Sequence, residues 1–282
     1  MIRLIATDID GTLLDSQGQL PEANALALKE AADWGIEIVI VTGRRFHAAR
    51  MIAEKLPCEV HLIVSNGALV KSSSGETHLR SLLPIKTARR VIEATGEFRQ
   101  YQGVIFDRPD ERQVIFERID WEGPFVGPYL RRHRHQVAEV APLAACLGAE
   151  DPVEIMFIGG CEIVRAAQRS LETYERRDEY TLALTEYEER GMSMLDVLQR
   201  GVTKGTALAE WAKRRGIAPD EVMAIGDNWN DREMLEFAGV PVVMGNAVAE
   251  LKSLGWRVTL SNDDCGVAAA IRSHVLNGNG GS

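Results

Sequence analysis

Long apolar runs are missing from this chain, and none approaches the ~20 residues that a bilayer-spanning helix needs. Paired cysteines are missing too. Cys58, Cys146, Cys161 and Cys265 are scattered, with no Cys-x-x-Cys pair and no His beside them at zinc-ligand spacing. The six histidines show no ligand spacing of their own, which argues against a zinc enzyme. Reduced, buried thiols fit a cytoplasmic protein, and the start of the chain has no basic stretch, apolar h-region or cleavage site of a secretory signal. Positive charge is in deficit: 32 Lys and Arg face 41 Asp and Glu, a net charge of -9. That excludes nucleic acid as a general partner, because the phosphate backbone is bound by positive surfaces. A small anionic substrate then needs a local cationic pocket. Repeats are absent, and the only biased segment is the Gly/Asn/Ser-rich tail from Asn277 to Ser282.

What remains is an ordinary globular composition, 45% apolar and 26% charged over 282 residues, enough for one large domain or two of usual size. The first stretch alternates strand and helix. Leu4 to Ala6 reads as a buried strand and Leu26 to Trp34 as a helix ending before Gly35. Ile36 to Val41 is a β-branched strand, followed by a helix over Phe46 to Leu56 and a strand over His61 to Val64. This βαβαβ order implies a parallel sheet with helices on both faces. The character changes after the Ser72-Ser73-Ser74-Gly75 turn. Helical stretches at Lys86 to Phe98, Arg131 to Val140 and Glu162 to Arg176 mix with strands at Gly103 to Asp107, Gln113 to Ile119, Val153 to Ile158 and Tyr180 to Glu186, as in an α+β domain with an antiparallel sheet. From Lys204 the βα rhythm returns, with helices over Gly205 to Arg215, Asn230 to Phe237 and Gly266 to Val275 and strands over Val222 to Ile225 and Val240 to Val243. The simplest organisation is an α/β, three-layer Rossmann-like core from residues 1–83 and 193–282, with an α+β cap domain inserted at 84–192.

Chemistry concentrates where strands end. Asp8-Ile9-Asp10-Gly11-Thr12 follows the first strand, and two carboxylates one residue apart at a strand end point the same way. Charges that close destabilise one another unless a cation or a proton separates them. The pair therefore invites a metal, with one carboxylate free to attack and the other to carry a proton. Thr42-Gly43, Asn66-Gly67 and Asp227/Asn230/Asp231 lie at three further strand ends, and Lys204 opens a helix. In open parallel sheets, ligands bind beyond these carboxyl ends.

In that order, Asp8/Asp10/Thr12, Thr42-Gly43-Arg44, Lys204 and Gly226-Asp227-Asn228-Trp229-Asn230-Asp231 resemble the four motifs of the haloacid dehalogenase superfamily. The Asn66-Gly67-Ala68 and Gly245-Asn246-Ala247 turns, the place of the insertion and Asp264-Cys265-Gly266-Val267 are similar to Cof-type phosphatases within it; Cys265 is an inserted departure. The resemblance implies a Mg2+-dependent phosphatase of small phosphorylated metabolites, such as sugar phosphates or phosphorylated cofactors and their precursors. In that scheme Asp8 is the nucleophile that forms an aspartyl-phosphate, and Asp10 is the acid and base. Asp8, the Asp10 carbonyl and Asp227 hold Mg2+, while Thr42, Gly43, Lys204 and Asn230 bind the phosphoryl group. Thr12, Asp231 and Asn66 support the site, and the cap closes over it and sets specificity. The implied charges balance: four Asp carboxylates, less one if Asp10 is protonated, against Mg2+ and Lys204.

Simpler readings stand beside these. Thr42-Gly43-Arg44 alone is a strand-to-helix turn, and Lys204 alone a solvated lysine. Asp227 and Asp231 suit a helix N-terminus, and Asn66 suits a left-handed turn. Arg44 and Arg45 read as surface or helix-start residues. The run Arg131-Arg132-His133-Arg134-His135 reads as a solvated helix face, and Trp229 as either exposed or packed on its helix. A phosphomutase of the same superfamily and a catalytically silent phosphometabolite-binding protein are the functional rivals. A monomer or small homo-oligomer is expected, with no membrane partner.

Overall fold

A computed structural model describes residues 1–109, 111–187 and 191–276, apart from the side chains of Tyr129, Arg132, His133 and Leu276. The expected tail at 277–282 lies outside the described residues. The chain divides into two units, Met1–Arg80 with Thr203–Ser282, and Ser81–Val202.

In the first unit, β1 (Leu4–Thr7), α1 (Glu22–Asp33), β2 (Glu37–Val41), α2 (Phe46–Ala53), β3 (His61–Val64), β4 (Leu69–Ser72) and β5 (Thr77–Arg80) precede the second unit. In the second, the elements are α3 (Ile85–Ala94), β6 (Gln102–Ile105), β7 (Val114–Phe116), α4 (Val126–Leu130), β8 (Val137–Glu139), β9 (Glu154–Gly160), α5 (Cys161–Glu172), β10 (Tyr180–Tyr187) and β11 (Met192–Gln199). The first unit then resumes with α6 (Lys204–Arg215), β12 (Val222–Gly226), α7 (Arg232–Phe237), β13 (Val240–Val243), α8 (Ala249–Lys252), β14 (Arg257–Val258) and α9 (Gly266–Ile271).

The first unit's strands form an eight-stranded sheet in the order β14-β13-β12-β1-β2-β3-β4-β5. Its central strands are continuous apolar runs because a parallel sheet is covered on both faces; every residue of β1 and β12 is buried. The sheet is parallel from β14 to β3 and turns antiparallel at β4 and β5. The Ser72 to Gly75 turn forms that last hairpin, closed by Gly75 N–H on Ser72 O at 3.0 Å. One register fact decides the chemistry. Thr7 of β1 lies opposite Ile225 of β12, so residues 8 and 227 leave neighbouring strands at the same edge.

The second unit has a sheet in the order β10-β11-β9-β6-β7-β8, antiparallel except between β7 and β8. Ala88, Val91 and Ile92 of α3 and Val164, Ala167 and Leu171 of α5 recur at helical spacing and pack with Phe157, Ile155, Leu195 and Val197 into one core.

Three expectations change. The unit boundaries fall at 80/81 and 202/203 rather than at 83/84 and 192/193. The second shift arises because β11, which was not expected, sits between β10 and β9 in the second unit's sheet. The helix expected over Arg131 to Val140 stops at Gln136, and Val137–Glu139 is a strand beside β7.

Phe157 is fully buried in the second unit's core. Phe157→Ala is expected to lower stability by about 3–5 kcal/mol, through lost burial and the cavity left behind, as read by urea unfolding.

Candidate active site

Four strand ends lie side by side, in the order β12, β1, β2, β3, and each carries one polar cluster. Asp8 N–H continues the β1–β12 ladder to Ile225 O at 3.0 Å, which seats the Asp8 carboxylate beside the loop after β12. Gly11 has φ +79, and a Cβ there would run into the Asp227 carboxylate. Only glycine meets both demands. Thr12, fully buried, donates its hydroxyl to Asp227 Oδ1 at 2.6 Å, joining the ends of β1 and β12 by a side-chain bond.

Lys204 arrives from the other side. It is the first residue of α6, whose N-terminus carries a reciprocal capping box between Thr203 and Thr206. The far end of α6 is anchored on Glu37, which accepts from Trp211 Nε1 and Arg215 Nε, both at 2.7 Å. The first turn is wedged against Gly67, whose missing Cβ and φ of +107 allow it to lie on the Thr203 carbonyl. So fixed, Lys204 is 2% exposed. Its Nζ donates to Asp8 Oδ1 at 2.8 Å and to Asp231 Oδ1 at 2.6 Å.

Asp231 is wholly buried and fully engaged. One oxygen takes Lys204; the other accepts the Asp227 and Asn228 N–H groups, each at 3.0 Å. It caps the turn that presents Asp227, so the helix-terminus reading of this residue and its supporting role are one arrangement. Asp8, Asp227 and Asp231 bring carboxylate oxygens within 4.8 Å of one another. Three buried carboxylates against one ammonium leave two negative charges in excess if all are ionised. The excess appears in the acidities. Burial, reinforced by Asp231 and Asp10 and opposed by Lys204, raises Asp8 to about 7. Burial and the neighbouring Asp231 and Asp8 push Asp227 well above the usual carboxylate range. Burial opposes the charge of Lys204, but Asp231 and Asp8 outweigh it and hold the ammonium more firmly protonated than usual. A hard divalent cation fits this donor set, because oxygen ligands with a two-unit charge deficit are what Mg2+ takes.

The remaining expected residues gather nearby. Asn66 adopts the left-handed conformation (φ +51), and Asn230 Nδ2 donates to its Oδ1 at 3.0 Å. A Cβ on Gly43 would touch the Asn66 carboxamide, and Asn66 N–H donates to Thr42 O at 3.1 Å. Thr42 Oγ1 accepts Arg44 N–H at 3.1 Å. Thr42, Gly43, Asn66 and Asn230 thus form a second polar group at the β2 and β3 ends. Trp229 is exposed, with the Arg232 guanidinium over its ring.

Arg44 departs from its surface reading. Its Nε and Nη2 form a fork on the two oxygens of Asp10, at 2.7 and 2.6 Å. The sequence balance met the Asp10 charge with a proton; the structure sets a guanidinium against it. In the second unit, Arg131 donates to Trp121 O at 2.8 Å and Arg134 lies over the Trp121 ring, local surface contacts in keeping with a solvated face; the side chains of Arg132 and His133 lie outside the described residues.

A protein-family model described as haloacid dehalogenase-like hydrolase matches residues 5–271. The chain belongs to that family. It is similar to the Bacillus subtilis proteins named phosphatase YwpJ, 29% identical over 98% of this chain and 100% of that one, and 5-amino-6-(5-phospho-D-ribitylamino)uracil phosphatase YcsE, 30% identical over 98% and 96%. A solved haloacid dehalogenase-like hydrolase from B. subtilis superposes with a TM-score of 0.81 at 27% identity, covering 97% of this chain and all of that one. The expected α/β fold, a Rossmann-like core with an inserted α+β domain, is the fold of these relatives. Among the described residues, no helix is long and apolar enough to cross a membrane.

The upward shift of the Asp8 pKa implies a pH dependence. Between its ordinary 3.8 and about 7, the folded chain holds a proton that the unfolded chain has lost, so metal-free stability falls as pH rises through that window. A divalent cation held by this carboxylate would need its ionised form and would displace that proton. The Tm gained from Mg2+ is therefore expected to be larger at about pH 8 than at about pH 5.5, measured by thermal melts with and without chelator. Equal gains at both values would contradict the charge assignment.

Proposed function

We propose that the protein is a Mg2+-dependent phosphatase of small phosphorylated metabolites, in which Asp8 is the nucleophile. The observation that carries this reading is the buried cluster of Asp8, Asp227 and Asp231 around the single ammonium of Lys204. Three carboxylates and one cation in a buried site make a poor structural feature, since burying unpaired charge is costly. The same group makes an efficient phosphoryl site. The relatives named as phosphatases, one of them for a phosphorylated ribityl compound, support the substrate class of sugar phosphates or phosphorylated cofactors and precursors.

In this reading Asp8, the Asp10 carbonyl and Asp227 hold the cation, which supplies positive charge to offset the carboxylates and the phosphate. Asp227 is kept in place by Thr12, and Asp231 holds both the Asp227 loop and Lys204. Thr42, the Gly43 N–H, Asn230 and Lys204 would bind phosphoryl oxygens and turn the phosphorus toward Asp8, with Asn66 bracing Asn230. The Asp8 carboxylate attacks phosphorus and the bond to the leaving oxygen breaks, while Asp10, entering the step as the neutral acid with the Arg44 fork opened, gives its proton to the departing alkoxide. Asp10 then takes a proton from a water molecule, whose oxygen attacks the aspartyl-phosphate, frees inorganic phosphate and restores Asp8. Lys204 stays charged throughout, gripped by two carboxylates and therefore suited to electrostatic work rather than proton transfer.

A panel of phosphorylated metabolites with Mg2+, assayed for free phosphate and for isomerised sugar phosphate, tests the reaction class. Free phosphate is expected, and isomerised product alone would point to a mutase. Asp8→Asn is expected to lower turnover about a thousandfold or more, the scale seen when a member of a nucleophilic unit is removed. Lys204→Ala should lower both turnover and Tm, by about 3–5 kcal/mol of stability for a broken buried pair. Wild-type turnover in either variant would overturn the assignment.

A further inference from the structure

The turn that carries Asp10 and Thr12 is held by several bonds from outside it. Residues 9–13 form a single wide turn, at whose end Leu14 N–H donates to Ile9 O at 3.0 Å. At its centre stands Gly11 with φ +79, the residue type with the most backbone freedom. Three asparagine carboxamides grip its carbonyls. Asn246 Nδ2 donates to Gly11 O at 2.8 Å, Asn24 Nδ2 to Leu13 O at 3.0 Å and Asn262 Nδ2 to Leu14 O at 2.9 Å.

Two of the three are themselves fixed at the carboxamide oxygen. Asn24 Oδ1 accepts Ala268 N–H at 3.0 Å, capping the first turn of α9, and Asn246 Oδ1 accepts Asn262 N–H at 2.9 Å. Ser16 N–H adds a bond to Asp263 Oδ1 at 2.8 Å. Asn24 and Asn262 are buried, whereas Asn246 is exposed. The burial of the first two marks them as parts of the fold. The Asn246 bond holds the peptide between Gly11 and Thr12, next to Asp10, at a place where packing gains little.

We propose that Asn246 is a positioning residue: by holding the Gly11 carbonyl it fixes the backbone from which the Asp10 carboxylate and the Thr12 hydroxyl project. The assignment rests on the proposed phosphatase reaction for its kinetic consequence, but not for its structural one. In Asn246→Asp the shape and the acceptor for Asn262 N–H are kept, while the donor to Gly11 O is lost.

The test has two arms on the full chain. In the first, hydrogen exchange at the Thr12, Leu13 and Leu14 amides is compared between wild type and Asn246→Asp. Exchange is expected to be about tenfold faster in the variant, with Tm changed by no more than about 2–3 °C. Unchanged protection would overturn the proposal, whatever turnover shows. In the second, kcat is expected to fall about tenfold on an alkyl phosphate with KM within about twofold, part of the ~10²–10⁴ that a placed acid–base group supplies. The loss should be smaller on p-nitrophenyl phosphate, whose leaving group departs without a proton, and Asn246→Asp should add nothing to an Asp10→Ala background. Equal losses on the two esters, or additive losses with Asp10→Ala, would overturn the positioning role. Absence of phosphate release from wild type would instead fail the phosphatase reading, and the exchange arm would still decide the role of Asn246.

Discussion

Lys204 between Asp8 and Asp231 is the interaction on which the site depends. An ammonium buried to this degree loses several kcal/mol of hydration, and the carboxylates lose as much each. Contacts of 2.8 and 2.6 Å offset that loss only because both partners are held rigidly. Asp231 is held by two backbone N–H groups, and Asp8 by the strand ladder that its own N–H continues. With one cation for three carboxylates, the arrangement still leaves negative charge uncompensated. That residue of repulsion is the property that a divalent cation would relieve. In the proposed reaction, stability and activity thus pull in opposite directions at the same atoms, as at many functional sites.

The scaffold resolves the conflict through topology. Asp8 and Asp227 stand far apart in sequence, yet β1 and β12 are hydrogen-bonded neighbours in parallel register. Two adjacent strands that end together place their following loops within side-chain reach, and no long loop has to be ordered to bring the carboxylates together. The same geometry extends to β2 and β3, so the polar group of Thr42, Gly43 and Asn66 follows without further adjustment. α6 contributes Lys204 from its first turn, where the helix dipole disfavours a cation. Only the two carboxylates make that placement acceptable.

Much of this was legible in the chain itself, for physical reasons. β1, β2, β3 and β12 are buried on both faces and therefore read as short unbroken apolar runs ending in Asp, Thr, Asn or Asp. β11 was not legible. Met192 to Gln199 mixes Ser, Asp and Gln with apolar residues, and its strand character comes from lying between β10 and β9, a non-local fact. Val137–Glu139 read as helix because the charges before it suggested a solvated helix face; pairing with β7 overrode that local pattern. Arg44 read as surface because nothing in a local window shows that Asp10 lies opposite. The fork appears only once β1 and β2 are paired with Thr7 against Ile40, which brings residues 10 and 44 out of adjacent strands.

Gly11 shows how one requirement generates the next. The turn after β1 must pass close to Asp227, which excludes a Cβ, and must take a positive φ, which also selects glycine. Glycine meets both conditions but leaves the backbone beside Asp10 loose, because no side chain restricts its other conformations. For the acid–base role proposed for Asp10 such looseness would be costly, since displacements near 1 Å can cost about 10²-fold in rate. The structure therefore restrains from outside what the glycine leaves free. The Arg44 fork fixes the Asp10 side chain, the Thr12 hydroxyl ties the turn to Asp227, and the asparagine carboxamides hold its carbonyls. The Gly245-Asn246-Ala247 turn, remote in sequence from every proposed catalytic residue, acquires its physical reason from the missing Cβ of Gly11.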